Sequence, residues 1–109
     1  MSKRNNELLV SDIIESAEKI FRYTSDLDFN TFSNDDKTID AVVRNFEIIG
    51  EAANRLSEEF KDSNPSIDWH RIRGFRNRIV HDYVGVDLNI IWTIIKEYLP
   101  DLMHHLKQL

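Results

Sequence analysis

The sequence predicts an all-α protein, an antiparallel up-down bundle of four to five helices, and three observations carry that expectation. Apolar residues recur at alternating three- and four-residue spacings over long stretches, the signature of amphipathic helices. Only three glycines and two prolines punctuate the 109 residues, too few for a turn-dense all-β fold. Hydrophobic residues make up 41% and charged residues 30%, the composition of a folded chain rather than a disordered one. The length suits a single domain spanning residues 1–109, with one modest core.

The first helix is expected from about Glu7 to Thr24, where Val10, Ile14, Ala17, Phe21 and Thr24 recur, with Leu9, Ile13 and Ile20 beside them. A loop follows, in which Phe29 and Phe32 are placed to lid one end of the core. Ser33 with Asp36 matches a capping-box-like start, and Asp35 and Asp36 suit the positive first turn of the second helix. That helix is read as the longest, from about Asp35 to Lys61. Its seam is Ile39, Val42, Phe46, Ile49, Ala53, Leu56 and Phe60. Gly50 in mid-helix costs roughly 1 kcal/mol against Ala, so close approach by another helix, from the same or a second subunit, is expected there.

Asn64-Pro65-Ser66 breaks the chain, and Asp68 or Ser66 caps a third helix that Gly85 ends. Asp87 caps a fourth, carrying Leu88, Ile91, Ile95, Tyr98, Leu102, Leu106 and Leu109. Pro100 should kink it or split off a last short helix. Short connections between long amphipathic helices favour antiparallel neighbours.

Composition also bounds the chemistry. There is no cysteine, which excludes disulfides and thiol-based redox or zinc sites. The start of the chain is polar and no apolar run approaches the ~18 residues that span a bilayer, so a cytoplasmic protein with no membrane contact is expected. Net charge is −5, which argues against a broad electrostatic grip on nucleic acid. Yet between Trp69 and His81 stand four arginines (Arg71, Arg73, Arg76 and Arg78), two histidines and no acid. One concentrated basic strip on an acidic protein can hold a phosphate-bearing ligand.

The third helix is where the pattern departs from a plain core. Its stripe reads Trp69, Ile72, Arg76, Ile79 and Tyr83, which puts a guanidinium on the core side. That is expensive unless the group snorkels out, pairs with Glu47 or Glu51 from the second helix, or lines a wet cleft. His81 lies about 140° around an ideal helix from Arg76. The two converge if the helix loosens near residues 80–82, or across a dimer axis. In the last turn of a helix the dipole would also favour the protonated imidazole. Taken alone, the histidine could instead be a surface residue capping carbonyls. His104 and His105 are adjacent, diverge, and make poor metal-ligand geometry.

The run Arg76-Asn77-Arg78-Ile79-Val80-His81-Asp82-Tyr83 resembles the Arg-x4-His-x-Tyr signature of HepT-like proteins, a branch of the HEPN superfamily. The block Ala41 to Ala52, ending Gly50-Glu51-Ala52, resembles that family's helix two, and Ile67-Asp68-Trp69 and Val86-Asp87 fit as well, so the likeness covers nearly the whole chain. The resemblance implies a homodimeric four- or five-helix bundle whose two motifs share a cleft. It further implies a toxin with metal-independent endoribonuclease activity on RNA, without a cofactor, and a minimal nucleotidyltransferase as antitoxin partner. Carried over by position, Arg76 would bind the scissile phosphate and His81 would transfer protons or hold the phosphate as a cation. Asn77, Arg73 and Arg78 would contact substrate, Glu47 and Glu51 would support the site, and Tyr83 would be the residue that the partner adenylylates. A second expectation belongs to another class, a non-catalytic helical subunit that binds a nucleotidyltransferase and presents nucleotide or substrate to it. A third is a structural dimer with an inert motif.

Overall fold

The computed structural model describes residues 5–81 and 85–109, with side chains at 5–79 and 85–109. In it, α1 (Asn6–Thr24) and α3 (Asp36–Arg55) form the central pair. They run antiparallel, since Asn6 at the start of α1 reaches Ser57, two residues past the end of α3. The Asn6 amide donates to Ser57 Oγ at 3.1 Å, and the Ser57 N–H donates to Asn6 Oδ1 at 3.2 Å. Between them lie Leu9, Ile13, Ala17 and Ile20 of α1 and the predicted seam Ile39, Val42, Phe46, Ile49 and Ala53 of α3, all buried. On α1 the expected Val10, Ala17 and Thr24 are buried as well, while Ile14 and Phe21 are only half-buried.

Within the expected loop, α2 (Phe29–Ser33) folds as one short helix capped by Asp28. Phe32 is fully buried, and the Phe29 and Phe32 rings pack on Trp92 with centroids 6.1 and 5.0 Å away, closing one end of the core as expected. The cap of α3 is Asp35 rather than Ser33. Asp35 accepts the Thr38 N–H and hydroxyl, whereas the Ser33 hydroxyl turns back to the Asn30 carbonyl.

The second predicted helix does not reach Lys61. At Leu56 the backbone becomes extended (φ −60°, ψ 142°), and Ser57 caps a separate short helix, α4 (Glu58–Ser63). The two bonds to Asn6 hold Ser57 at this corner. Phe60 thereby leaves the seam and packs on Trp69, ring centroids 5.9 Å apart.

The third helix is also divided. Asp68 caps α5 (Trp69–Arg73), as expected, by accepting the Arg71 N–H, and α6 (Phe75–Ile79) follows after Gly74. Gly74 N–H is shared between the His70 and Arg71 carbonyls, 3.1 Å from each. That shared bond tightens the turn toward three residues per turn and advances the helical phase of the residues after Gly74. The buried positions become Trp69, Ile72, Phe75 and Ile79, so Phe75 takes the core place expected for Arg76. Burying a phenyl ring stabilises by about 1.5–3 kcal/mol, while burying an unpaired guanidinium does the reverse.

Beyond Ile79 the chain leaves the helix for a short antiparallel strand pair, β1 (Val80–His81) with β2 (Gly85–Val86), His81 facing Gly85 in the register. Gly85 takes φ +85°, the left-handed conformation that glycine adopts without strain, so it serves the strand pair rather than a helix end. Asp87 then caps α7 (Leu88–Thr93), as predicted. The split at Pro100 takes the form of a π-helical turn, Ile94–Tyr98, before α8 (Leu99–Leu106). The Leu99 N–H reaches back five residues to the Ile94 carbonyl. Proline has no N–H to continue the ordinary ladder, and the wider turn accommodates it at the start of α8. Ile91, Ile94, Ile95, Leu99, Leu102, Met103 and Leu106 complete the core, while Leu109 is exposed. Among the described residues no helix is long and apolar enough to cross a membrane.

Candidate functional site: a cationic cleft between two helical walls

On α3, residues 44, 47, 51 and 55 follow one another at three- and four-residue steps, beside the buried seam rather than on it. Arg44, Glu47, Glu51 and Arg55 therefore form a charged stripe along one flank of the helix. The α5–α6 segment runs against the same flank, and its approach is close. A Cβ on Gly50 would lie 3.5 Å from the Arg73 carbonyl and 3.9 Å from that of Ile72. The close contact expected at Gly50 is thus made within the chain, by backbone.

These two walls bound an open cleft of about 940 Å³. Arg44, Glu47, Glu51 and Arg55 line it on the α3 side, and His70, Arg73, Arg76 and Asn77 on the other, with Leu9 and Asp12 of α1 at one edge. Arg76 is exposed, which corrects its expected place on the buried stripe. Nor does it pair with a glutamate. Glu51 accepts from Arg55 Nε at 3.1 Å, and Glu47 stands half-buried on the facing wall. Among the described residues the side chains of Arg44, Glu47, Arg76 and Asn77 make no hydrogen bond or ion pair with one another. Arg73 Nη2 lies 3.5 Å from His70 Nδ1. A guanidinium only donates, so Nδ1 is the acceptor in this contact.

Four arginines thus face three carboxylates in this cleft, on a protein whose overall charge is −5. The concave shape, the local excess of guanidinium and the uncommitted donors of Arg76 and Asn77 suit an anionic, hydrogen-bonding ligand such as a phosphodiester.

The predicted site residues divide. Arg73, Arg76 and Asn77 come together on one wall, with Glu47 and Glu51 opposite. Arg78 does not join them, because it points to the other flank, over the Tyr98 ring. His81 stands in β1, outside any helix, so neither the 140° offset nor a helix-dipole effect applies to it, and its side chain lies outside the described residues. The helix that was to carry Tyr83 on the Arg76 face ends at Ile79, and Tyr83 itself lies outside the described residues. Arg44 and His70, like Arg55 and Asp12, line the cleft but were not singled out from sequence. The spacing of Arg44 to Glu47 and Glu51 was the available signal for the first. For the second it was membership of the basic strip. His104 and His105 sit at the far end of α8, bonded to Gln108 and to the Asp101 carbonyl.

Comparisons with known proteins identify the family. A family model described as ribonuclease HepT-like matches residues 13–109. The chain is 38% identical over 102 residues to a Methanocaldococcus jannaschii protein provisionally named an RNase, covering 94% of each. It is 38% identical over 100 residues to a Thermococcus cleftensis protein provisionally named ribonuclease HepT, covering 92% of this chain and 91% of that one. A Caldanaerobacter subterraneus protein, also provisionally named an RNase, is 33% identical over 97 residues, covering 89% and 87%. No solved structure matches. With nearly the whole chain matched by the family model and by these relatives, the protein belongs to the HepT-like ribonuclease family.

Proposed function

We propose that this chain is a metal-independent endoribonuclease, the toxin of a toxin–antitoxin pair, acting in the cytoplasm as a homodimer on single-stranded RNA. The observation that carries the reading is the cationic cleft wall of Arg73, Arg76 and Asn77, with the donors of Arg76 and Asn77 uncommitted, in a chain of this family.

The chemistry needs only groups of these kinds. The 2′-hydroxyl of RNA loses its proton as O2′ attacks the adjacent phosphorus. The P–O5′ bond breaks, and the departing oxygen takes up a proton, leaving a 2′,3′-cyclic phosphate and a 5′-hydroxyl. His81 is the proton-transfer group, from one subunit or both. Arg76 neutralises the charge that grows on the non-bridging oxygens, where a fixed guanidinium fork is most effective. Arg73 and Asn77 orient the strand. Glu47 and Glu51 on the α3 wall limit how many phosphates the cleft holds. A minimal nucleotidyltransferase serves as antitoxin, transferring an adenylyl group from ATP to the Tyr83 hydroxyl with release of pyrophosphate. The added phosphate at the motif then opposes RNA entry.

Purified parent and His81→Ala proteins, assayed on single-stranded RNA in excess chelator, test the central claim. The parent should cut and the variant should lose cleavage while keeping its fold and assembly. A variant that cuts as well as the parent removes His81 from the mechanism.

The net charge of −5 favours a second reading, a non-catalytic helical subunit that docks a nucleotidyltransferase. Growth arrest on expression alone, abolished by Arg76→Ala, supports the ribonuclease. Harmless expression with stable co-purification of the nucleotidyltransferase supports the subunit.

A further inference from the structure

Arg71 and Arg78 belong to the same basic strip as Arg73 and Arg76 but stand about 200° around the segment from them, on the flank away from the cleft. Both are exposed, and both converge on Tyr98, the half-buried last residue of the π turn. The Arg71 guanidinium carbon lies 4.6 Å from the ring centroid and that of Arg78 lies 6.0 Å from it. Among the described residues neither guanidinium has a carboxylate partner. A carboxylate would fix an arginine by neutralising it and occupying its donors. An aromatic ring attracts the cation through its face and leaves all five N–H donors unspent. Tyr98 therefore restrains two full positive charges, with their donors available, on an otherwise acidic protein.

We propose that Arg71, Arg78 and Tyr98 form a phosphate-binding site that takes backbone phosphates of single-stranded RNA flanking the stretch held in the Arg76 cleft. The proposal rests on the ribonuclease reading. Cleft and site lie on opposite flanks of one short helical segment, a width of about 10–12 Å that a strand crosses in a few nucleotides. Beyond the cleft the strand would otherwise meet a protein of net charge −5, and this pair of guanidiniums offsets that repulsion. The outer face of a guanidinium held against a ring also offers a surface on which an unstacked base can lie.

The test compares the parent full-length chain with Arg71→Gln, Tyr98→Leu and Tyr98→Phe, none of which alters the cleft. Each is measured for binding of a 20-nucleotide single-stranded RNA over a range of salt, and for cleavage of a trinucleotide too short to leave the cleft. Arg71→Gln should weaken binding of the long RNA by about 3- to 10-fold and reduce the slope of log affinity against log salt by roughly 0.7, one phosphate contact. Tyr98→Leu keeps both arginines and should weaken binding similarly, while Tyr98→Phe keeps the ring and should match the parent. Trinucleotide cleavage should be unchanged in all three, with thermal melting confirming the fold. Parental binding of the long RNA by Arg71→Gln, or equal losses on long and short RNA, overturns the site and leaves the ribonuclease intact. A parent that neither binds nor cuts RNA overturns both. If Arg71→Gln loses only inorganic phosphate, followed by phosphorus line broadening, the site takes small phosphates and the RNA assignment is wrong.

Discussion

Phe75 and Arg76 are neighbours in the chain with opposite surroundings. Phe75 is 1% exposed and meets the Phe46 ring edge-on at 5.7 Å, whereas Arg76 is exposed on the cleft wall. Phe75→Ala should therefore cost about 3–5 kcal/mol by denaturant titration, the usual range for emptying a core aromatic site. Arg76→Ala should stay within about 0.5 kcal/mol of the parent yet abolish cleavage, since in the proposed mechanism its partner is the substrate. Equal destabilisation by the two would mean that Arg76 is structural. Asp35 makes a different residue-scale claim. The Thr38 hydroxyl, and then the Thr38 N–H, hold its carboxyl below the usual carboxylate range, and the Thr31 N–H does the same for Asp28. Each folded pKa lies below its unfolded value, so the stabilisation is complete above the unfolded pKa, about 3.9, and is lost as pH falls through the lower folded value. Asp35→Asn keeps an oxygen for the Thr38 N–H and removes the charge. Its melting temperature should fall less steeply than the parent's on acidification below about pH 4, and matching acid limbs would refute the assignment. At this scale the sequence was partly legible. The aspartate cap at 87, and that at 68 as one of two candidates with Ser66, were readable because each precedes a helix after a chain break. Choosing Phe75 over Arg76 for the core needed the phase of the helix, which a shared hydrogen bond at Gly74 resets.

Helix α3 illustrates what periodicity reveals and what it misses. Its seam from Ile39 to Ala53 is buried as the spacing required, and α1 begins and ends within a residue of its expected bounds. Yet the three-four pattern runs on through Leu56 to Phe60 although the helix stops at Arg55. Two hydrogen bonds to Asn6, 51 residues away, hold that corner, and no local window contains them. The pairing of Val80–His81 with Gly85–Val86 was hidden for a related reason, since a two-residue strand is too short to carry a period. Gly50 is the position where α3 most directly shapes the site. A methyl there would make ordinary contact with the Arg73 carbonyl at 3.5 Å, and Ala is the better helix former. Gly50→Ala should thus be neutral to about 1 kcal/mol stabilising, with cleavage retained. Gly50→Leu must instead displace the Arg73 carbonyl or fill the cleft, and should lower kcat/KM at least tenfold with the fold intact. Parental activity in the leucine variant would show that this wall does not set the reacting geometry.

The whole molecule places one basic cleft on an acidic surface, with half of the motif on the α5–α6 wall and His81 on a strand just past it. In the proposed mechanism one cleft wall supplies charge stabilisation, and cleavage also requires a proton to be removed from O2′ and one to be donated to the departing oxygen. A second subunit facing the first across a two-fold axis would duplicate every group at a single site, which is the arrangement that homodimeric operation requires. The cleft is open, so a partner chain can cover it without refolding either copy. The consequence is a dependence on concentration that a self-sufficient monomer lacks. Sedimentation should show a dimer at micromolar concentration, and specific activity per chain should fall on dilution in step with its dissociation. Mixing inactive His81→Ala chains in excess with parent should lower activity below the value expected from the parent chains present, because mixed pairs carry only one proton-transfer imidazole. If activity per chain is constant on dilution to where sedimentation shows only monomer, each chain holds a complete site and the shared cleft is ruled out.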